Sequence, residues 1–481
     1  MPRPSALSGF PEWLPAQRIA EQLVLDSLRA TFELYGFSPV ETRAVEPLDQ
    51  LLRKGETSKE VYVLRRLQAD ADGGDAGLGL HFDLTVPFAR YVLENSGKLL
   101  FPFRRYQIQR AWRGERPQEG RFREFTQADV DVVGTDELPF THDVELPLVV
   151  LAAFAALPLP PFVMQVNNRK LVQGFCTAIG VADYPAALRA VDKLDKAGPG
   201  GVRAELTGAA GCTPEQADAL LGLAAVSGDA DTVSAAVAAT GASDPLLEQG
   251  LAELVAVLTA AQDAAPGRVV ADLSITRGLD YYTGTVYETR LVGHESIGSI
   301  CSGGRYDDLV SSGKTRHPGV GLSVGVSRLL SRLFAQGLLA ASRPTPTCVL
   351  VAVTDEATRA RSLRVASALR ARGIPTEVSP TAARFGRQIR AADRAGIPFV
   401  WFAAAGVPAG DGAAGLPADP GGGGVPTARD QVKDIRSGDQ VDADATDWLP
   451  PAGDLHPHLV ATRPDPAVVP SGDAACVTPP G

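Results

Sequence analysis

The stretch FRRYQIQRAWRGERPQEGRFREFTQADVDVVG, which runs from Phe103 to Gly134, decides the fold. Apolar and polar side chains alternate on both sides of a short charged segment, Arg113–Phe122. Alternation with a period of two is typical of half-buried β-strands. The pattern therefore predicts strands over Pro102–Trp112 and Arg123–Val133. Because these and the neighbouring extended segments follow one another without intervening helices, we predict an antiparallel sheet.

Three predicted strands each have one polar face, since side chains two positions apart point the same way. The faces consist of His81, Asp83 and Thr85 in Leu80–Val86, of Arg105, Gln107, Gln109 and Arg113 in the first strand of the stretch, and of Phe125, Gln127, Asp129 and Asp131 in the second. A single polar face is usually exposed to solvent. Three in succession instead favour a polar floor beneath a ligand.

If the three faces adjoin in one sheet, this floor offers several hydrogen-bond acceptors and one fixed cation. The acceptors would hold an α-ammonium group, and the cation, Arg113, would bind a carboxylate or phosphate oxygen. The acceptors are Asp83, Thr85, Gln127 and Asp131. The sequence thus predicts a site for a zwitterion. Beside it, Arg116 and Arg121 are predicted to close over a triphosphate, with a plain charged hairpin as the alternative.

The length of 481 residues is too great for one hydrophobic core, so two or three domains are expected. Apolar residues spaced by about one helical turn predict an opening helix over Ala16–Tyr35. The predicted class is α+β. We predict a first domain over 1–340 with a helical insertion at about 170–265, an α/β domain over 346–447 with a flexible insertion over 403–427, and a disordered tail over 448–481.

Composition limits the classes of protein to consider. The chain is 45% hydrophobic, and its five cysteines are scattered without paired spacing, which argues against a disulfide framework and a thiolate zinc site. Neither a signal-peptide pattern nor a run long enough to span a membrane is found. We therefore predict a cytoplasmic protein with no metal site.

The net charge of −10 opposes non-specific attraction to nucleic acid, so such a partner would need a local basic patch. One candidate lies between Glu356 and Arg394, where nine arginines stand against three acidic residues. Charge alone leaves two interpretations open. The region is either a nucleic-acid-binding surface or a solvated helical surface.

Two other motifs resemble catalytic signatures but fail on their context. Gly321–Gly325 reads GLSVG, a match to the nucleophile elbow of hydrolases. The histidines that follow it, His456 and His458, lie in a proline-rich tail that is poorly suited to a catalytic base. Gly313–Thr315 matches the end of a phosphate-binding loop, but the glycine required five positions earlier is Asp308.

Several segments resemble the histidyl-tRNA synthetase family, class II aminoacyl-tRNA synthetases. Phe103–Gly134 resembles motif 2, Arg277–Glu288 (RGLDYYTGTVYE) the first histidine-specific signature, Ser302–Val310 (SGGRYDDLV) the second, Gly319–Leu329 (GVGLSVGVSRL) motif 3, and Gln431–Gln440 (QVKDIRSGDQ) the closing signature of the anticodon-binding domain. The resemblance spans roughly Gly9 to Val441, and RGLDYY is its most specific part. It implies a class II antiparallel core with a C-terminal α/β anticodon-binding domain.

The resemblance also implies a role for individual residues. Histidine would be bound by Asp83, Leu84, Thr85, Arg113, Gln127, Asp131 and Arg277, with Tyr281, Tyr282 and Tyr306 around its imidazole; ATP by Arg113, Glu115, Arg121, Phe125 and Arg328; and the tRNA acceptor end by Arg116 and Gln118. Arg277 and Arg113 would be catalytic, through contacts to the histidine carboxylate and the α-phosphate. Mg²⁺ would accompany ATP, and histidine tRNA would be the partner of a homodimer.

Two positions depart from the family pattern. Arg43 stands where motif 1 usually has proline, and Ser327 stands where motif 3 usually has an acidic residue. A second function also fits the resemblance, because synthetase-like relatives serve as histidine-sensing regulatory subunits or tRNA-sensing modules without aminoacylation activity. Such relatives tend to lose the ATP arginines or the anticodon-binding domain, both of which this sequence keeps.

Overall fold

The computed structural model describes residues 5–52, 60–66, 77–276, 281–312, 315–404 and 429–461. These residues form two compact units. The first consists mainly of Val24–Leu339, and the second of Trp13–Leu23 and Ala340–Val460. The helix α1 (Pro15–Leu34) opens the chain, as predicted, and buries Val24, Leu28 and Phe32 at a spacing of four.

The strands of the first unit are distributed over a large sheet and two small ones. They are β1 (Ser38–Pro39), β2 (Val45–Pro47), β3 (Val63–Leu64), β4 (Leu78–Leu80), β5 (Phe103–Trp112), β6 (Glu124–Val133), β7 (Phe162–Asn168), β8 (Ser227–Gly228), β9 (Val269–Asp272), β10 (Thr285–Leu291), β11 (Cys301–Tyr306), β12 (Ser311–Ser312), β13 (Thr315–Arg316) and β14 (Gly319–Gly325). The prediction of strands at β5 and β6 is confirmed.

The large sheet has nine strands in the order β1-β5-β6-β14-β11-β10-β7-β9-β8. Its six central strands, from β5 to β7, pair antiparallel throughout. Parallel pairing occurs only towards the two sides, between β1 and β5 and between β7 and β9, in the part of the chain that the structure describes. The predicted antiparallel core is therefore confirmed, and β5 and β6 are adjacent within it.

Helices of the first unit cover the sheet and form a separate cluster. They are α2 (Leu48–Leu51), α3 (Thr85–Asn95), α4 (Thr141–Ala155), α5 (Arg169–Ala178), α6 (Tyr184–Val191), α7 (Leu194–Gly208), α8 (Pro214–Ala224), α9 (Ala230–Ala239), α10 (Pro245–Ala264) and α11 (Val326–Ala335). The helix α11 packs on β6, and α4 packs on both β6 and its neighbour β14. On β6, Ala128, Val130 and Val132 are fully buried. The helices α5–α10 lie in the region predicted as a helical insertion.

The prediction of a strand over Leu80–Val86 is wrong. The strand β4 ends at Leu80 and belongs to a separate three-stranded sheet with β2 and β3. The chain then turns, and α3 begins at Thr85, with the Asp83 carboxylate accepting a hydrogen bond from the Val86 amide at 3.0 Å. Such a bond satisfies one of the free amides at the start of a helix, which favours helix over strand here.

The second unit contains a five-stranded sheet in the order β17-β16-β18-β19-β20. Its elements, together with a two-stranded sheet of β15 and β21, are β15 (Leu339–Ala341), β16 (Val349–Val351), α12 (Arg359–Ala371), β17 (Thr376–Val378), α13 (Phe385–Ala395), β18 (Phe399–Phe402), β19 (Gln431–Asp434), β20 (Gln440–Asp442), α14 (Ala452–Leu455) and β21 (Leu459–Ala461). The helix α12 shares one core with Trp401 and Val351, and α13 shares another with Val400 and Leu350. This is the predicted α/β architecture.

The first part of the predicted disordered tail is instead folded. Residues 452–461 contain α14 and β21, where Asp454 forms an ion pair with Arg436 at 2.7 Å and its carbonyl accepts a hydrogen bond from Arg343. The carbonyl of His458 accepts a further bond from the Ser342 amide. These long-range bonds hold a proline-rich segment whose own sequence does not predict structure, so the prediction is wrong for these residues. Residues 462–481 and most of the predicted 403–427 insertion lie outside the described residues.

Candidate active site

A row of polar side chains crosses the face of the large sheet. Asp129 of β6 lies opposite Ser323 of β14, which lies opposite Ser302 of β11. In the next row Asp131 lies opposite Gly321. Directly opposed residues of antiparallel strands point to the same face, so these rows form a common floor. Two neighbouring cavities open above it, and Ser302 and Ser323 line both of them.

The larger cavity measures about 610 Å³, part of it open to solvent, and contains three arginines. Arg328 donates hydrogen bonds to the carbonyl oxygens of Gly120 (3.1 Å) and Ser299 (2.7 Å), and so holds the segment between β5 and β6. Arg113 donates to the carbonyl of Phe82 at 3.0 Å, and its guanidinium carbon lies 5.1 Å from the centre of the Phe125 ring. The guanidinium groups are therefore held in fixed positions before a ligand binds.

The charge balance of this cavity favours an anion. Burial, followed by the charges of Arg121 and Arg113, lowers the pKa of Arg328 below its ordinary value. Among the described residues that line this cavity, one is acidic: Glu115, which lies 3.3 Å from Arg121. Three cations against one carboxylate suit a polyanion such as a triphosphate, whose oxygens accept charge-assisted hydrogen bonds.

The smaller cavity, of about 220 Å³, has an aromatic wall. The rings of Tyr281 and Tyr282 have centres 4.7 Å apart, and Tyr281 meets Tyr306 edge to face at 6.1 Å. The Tyr306 hydroxyl donates a hydrogen bond of 2.7 Å to Asp131, whose other carboxylate oxygen lies 2.7 Å from the buried Arg105 guanidinium. A planar polar ring fits such a pocket, because the wall supplies both aromatic surface and fixed polar groups.

Two glycines of β14 make room for this pocket. A Cβ atom on Gly321 would lie 2.0 Å from a carboxylate oxygen of Asp131, and one on Gly319 would lie 2.4 Å from the Tyr306 ring. Both distances are far below van der Waals contact, so only glycine lets Asp131 and Tyr306 lie across the neighbouring strand.

Comparison with known proteins identifies the family. The family model described as Histidyl-tRNA synthetase matches residues 9–329, and the model described as Anticodon binding domain matches residues 347–403. The chain is 54% identical to a Histidine--tRNA ligase of Cutibacterium acnes, over 96% of this chain and 100% of the relative. The chain belongs to the histidyl-tRNA synthetase family.

Two further similarities agree with the membership of the histidyl-tRNA synthetase family. A Histidine--tRNA ligase of Micrococcus luteus is 53% identical, over 96% of this chain and 100% of the relative. The crystal structure of histidyl-tRNA synthetase from Nostoc sp. PCC 7120 superposes with a TM-score of 0.78 at 35% identity, covering 92% of this chain and 97% of that one.

The residues that the histidyl-tRNA synthetase motifs assign to ATP lie together in the structure. Arg113, Glu115, Arg121, Phe125 and Arg328 all line the larger cavity. Arg116 and Gln118, assigned to the tRNA acceptor end, are exposed on the segment between β5 and β6. The Gln118 amide and carbonyl pair with those of Arg121 in a tight turn at Gly120, whose φ is 70°.

Five of the ten residues assigned to histidine line the smaller cavity: Thr85, Asp131, Tyr281, Tyr282 and Tyr306. Gln127 lines the larger cavity instead. Asp83 is buried beside the pocket, where its charge raises the pKa of Tyr281 and Tyr282 after the larger effect of burial. The Leu84 side chain is fully buried and lines neither cavity. Arg277 lies outside the described residues.

The predicted polar face of β5 is only partly a ligand surface. Arg105 and Gln107 are fully buried, and Gln107 and Gln109 both donate hydrogen bonds to Thr42. The face therefore packs against another segment of the same chain, and the prediction that it is solvated or binds a ligand is wrong for these two glutamines.

Three residues of the site carry no assignment from the sequence: the buried Arg105 and Asp129 and the half-buried Ser323. Arg105 lies between two carboxylates, 2.7 Å from Asp131 and 4.0 Å from Asp129. Burial raises the pKa of Asp129 to about 7. The sequence carried a signal for Arg105 and Asp129. Two carboxylates stand two positions apart on one predicted strand, and an arginine stands on the polar face of the neighbouring strand. The sequence carried no such signal for Ser323, because the motif around it resembles the nucleophile elbow of hydrolases.

The two departures from the histidyl-tRNA synthetase pattern have local roles in the structure. Arg43 forms an ion pair with the buried Glu46 at 3.0 Å, and Glu46 also pairs with Arg90 at 2.8 Å. Ser327 is buried at the start of α11 and accepts a hydrogen bond of 2.8 Å from the Thr126 amide. An uncharged hydroxyl in this position joins α11 to β6 without burying a further charge.

The residues that the structure describes offer neither a cluster of metal ligands nor a membrane-spanning helix. No group of three or more His, Cys, Asp or Glu side chains within them is arranged to hold a metal ion. None of the helices described combines the length and apolar character needed to cross a membrane. His81 is fully buried, and its ring nitrogens contact the carbonyls of Arg43 and Arg110.

Proposed function

We propose that this chain activates L-histidine with ATP and transfers the histidyl group to the 3′ end of histidine tRNA, with histidine in the smaller cavity and ATP in the larger. The observation that carries the proposal is the separation of the assigned residues into two adjoining cavities with a shared border at Ser302 and Ser323. A reaction between two substrates needs such an arrangement, because their reacting atoms must meet.

The enzyme is a histidine–tRNA ligase, and a regulatory or tRNA-sensing role is not favoured. The full-length relatives at 54% and 53% identity both carry the name Histidine--tRNA ligase. The chain also keeps its arginines in the cavity assigned to ATP and an α/β unit of which residues 347–403 match the anticodon-binding family model.

We propose that orientation and electrostatics supply the catalysis, without a protein nucleophile. A carboxylate oxygen of histidine attacks the α-phosphorus of ATP, and the bond to the bridging oxygen breaks as pyrophosphate leaves. Arg113, which lines the larger cavity, would bind both the carboxylate and the α-phosphate, while Arg121 and Arg328 would bind the outer phosphates. A terminal ribose hydroxyl of tRNA then attacks the histidyl carbonyl and displaces AMP.

Two further parts of this mechanism rest on the family motifs. Arg277 is the proposed second catalytic arginine and stands four positions before Tyr281, which lines the histidine pocket. Mg²⁺ would enter with ATP and neutralise phosphate charge, since it retains several waters and needs no dedicated cage of protein ligands.

We propose that Asp131, Tyr306 and the neighbouring tyrosines select the imidazole ring. An amino acid without ring nitrogens would leave the buried polar groups of this pocket without partners, at a cost of about 1–3 kcal/mol for each group. The hydrogen bond from Tyr306 to Asp131 and the ion pair to Arg105 fix these groups before histidine binds.

The test is histidine-dependent exchange of pyrophosphate into ATP. We expect exchange by the unaltered protein and a loss of about 10²–10³-fold in rate in Arg113→Ala, because one preorganised donor to the reacting centre is removed. Arg110→Ala is the matched control on the same strand, since Arg110 is exposed and pairs with Glu124. A protein that bound histidine and ATP but exchanged no pyrophosphate would contradict the proposal and favour the regulatory role.

We propose that the second unit binds the tRNA backbone through the α13 arginine face, made of Arg384, Arg387, Arg390 and Arg394. Arg387, Arg390 and Arg394 share one face of the helix, away from the buried Gln388 and Ala392, and Arg384 immediately precedes the first turn. All four are exposed, and their side chains form no hydrogen bond or ion pair with other described residues. By contrast, the α12 region holds its arginines by bonds such as Arg361 to Asp430 and Arg372 to the Trp448 carbonyl.

The remaining expectations follow the family. We propose a homodimer, on the resemblance of Gly36–Thr42 (GFSPVET) to motif 1, which sedimentation of the purified protein would test. We propose that Arg116 and Gln118 contact the tRNA acceptor end. A cytoplasmic location is proposed because tRNA charging takes place beside the ribosome, and the four described cysteines are free thiols.

A further inference from the structure

Three buried or half-buried side chains form a hydrogen-bonded chain on the floor between the two cavities. The Gln127 side-chain nitrogen, Nε2, donates to Ser323 Oγ at 2.6 Å, and Ser323 Oγ donates to the Asp129 carboxylate at 2.5 Å. Gln127 is 7% exposed and Asp129 is 2% exposed. Because these side chains are shielded from solvent, few water molecules compete for their hydrogen bonds, and the bonding pattern of the three groups is well determined.

The hydrogen bonds that link these three side chains run in one direction, which the chemistry of the carboxylate determines. An ionised carboxylate can only accept, so the single hydroxyl proton of Ser323 points to Asp129. The hydroxyl oxygen must then accept from its other neighbour, which turns the Gln127 Nε2 toward Ser323. The opposite end of the amide, Oε1, is buried and has no hydrogen-bond partner among the residues that the structure describes. The oxygen Oε1 can therefore accept a hydrogen bond from a ligand.

A donor of suitable chemistry is available in the substrate. Gln127 lines the larger cavity and Ser323 lines both, so the amide stands at the border where the α-carbon end of histidine would meet ATP. An α-ammonium group needs acceptors only, and an amide turned the other way would present two N–H groups to a cation. The orientation of this amide therefore decides whether it attracts or repels the substrate.

We propose that Asp129 is a positioning residue that, through Ser323, holds the Gln127 amide with Oε1 toward the α-ammonium group of histidine; the inference rests on the proposed function. Asp129 and Ser323 need not touch the substrate. Removing Ser323 leaves the amide free to rotate, and the site loses selectivity for the ammonium group rather than its general affinity for the ligand.

The ionised form of Asp129 is the form that sets this direction. A protonated Asp129 can donate to Ser323, whose proton can then point to the amide and reverse the chain. The charged and titratable groups that face Asp129 are Arg105, Asp131, Asp83, Tyr282 and Cys301. Burial opposes the ionised form most strongly and the neighbouring carboxylates oppose it further, whereas the Arg105 guanidinium and the hydrogen bond from Ser323 favour it.

The test uses two ligands that differ by one group: L-histidinol, and the same alcohol without its α-amino group, 3-(imidazol-4-yl)propan-1-ol. Calorimetry on the full-length protein gives their dissociation constants. We expect Ser323→Ala to weaken histidinol binding by about tenfold, as for a lost hydrogen bond to a charged group, and to change binding of the des-amino alcohol by less than about twofold. In exchange assays the KM for histidine should rise and the KM for ATP should not.

Asp129→Leu, which keeps the branching at Cγ and removes the acceptor, should give the same selective loss. Equal weakening of both ligands in Ser323→Ala would show a general distortion of the pocket and would overturn the inference, as would unchanged histidinol binding. A wild-type protein that neither binds histidinol nor exchanges pyrophosphate would instead count against the proposed function. The two failures are therefore distinguishable.

Discussion

At the scale of single residues, Asp129 and Asp131 show how two carboxylates on one strand can have different hydrogen-bond and ion-pair partners. They stand two positions apart on β6 and share the same strand face. Asp131 lies 2.7 Å from the Arg105 guanidinium and accepts a hydrogen bond from Tyr306, whereas Asp129 is 4.0 Å from Arg105 and is bonded to Ser323. Burial therefore outweighs the single cation at Asp129 and raises its pKa to about 7.

This shift predicts a pH dependence of stability that Asp129→Asn should reduce. Between pH 4 and 7 the folded protein holds a proton on Asp129 that the unfolded chain has released, so stability falls as pH rises through this window. The contribution is up to about 4 kcal/mol, since each pH unit of the window adds about 1.4 kcal/mol. The melting temperature of the variant should therefore fall less than that of the wild type between pH 5 and 8. Parallel curves for the two proteins would contradict the prediction.

At the scale of elements, the crossing of α5 and α10 depends on two glycines. A Cβ atom on Gly250 would lie 2.2 Å from the Leu171 backbone nitrogen, and one on Gly174 would lie 2.2 Å from that of Leu247. Each helix therefore places a glycine against the backbone of the other. Close approach of this kind is possible only without side chains at the contact.

We predict that Gly250→Ala destabilises the protein even though alanine is the better helix former. The added methyl group would push backbone against backbone, and overpacking of this kind costs about 1–3 kcal/mol. Gly222→Ala is the matched control, because Gly222 lies in α8 with no atom within 4 Å of the added Cβ. The control should gain about 0.5–1 kcal/mol from helix propensity. Thermal unfolding measures both changes, and a stabilised Gly250→Ala would show that the helices do not meet at this glycine.

At the scale of the whole molecule, an acidic protein is expected to bind a polyanion through a localised surface. The net charge of −10 repels tRNA on average, so the α13 arginine face must supply a local attraction. The side chains of its arginines form no ion pair with other described residues. Elsewhere, ion pairs such as that of Arg203 with Asp218 neutralise the charge of the arginine. The location of unpaired charge therefore matters more here than its total.

We predict that the triple substitution Arg387→Gln, Arg390→Gln and Arg394→Gln weakens tRNA binding and lowers its salt dependence. Each lost phosphate contact should reduce the slope of log affinity against log salt by about one. The matched control replaces Arg29, Arg110 and Arg203 by glutamine, which changes the net charge equally at arginines paired with carboxylates. Filter binding at several salt concentrations gives the slopes. Equal slopes for the two triple variants would remove the arginine face from the tRNA site.

The sequence by itself determined the strands β5 and β6, their polar faces and the type of ligand they suit. Alternation of apolar and polar residues is a local property, so it can be recognised without knowing what a strand packs against. The same logic failed at Leu80–Val86, where a turn and the start of α3 bring Asp83 and Thr85 to the site from outside the large sheet.

Only the tertiary structure decided which groups meet. Ser323 bonds to Asp129 across 194 positions of the chain, because β14 pairs with β6 in one particular register. The packing of α4 against both strands and of α11 against β6 specifies that register, because a shift by one residue would turn Ser323 to the opposite face. The residues of the site were therefore largely visible in the sequence, whereas the hydrogen-bonded chain that orients Gln127 exists only in the folded sheet.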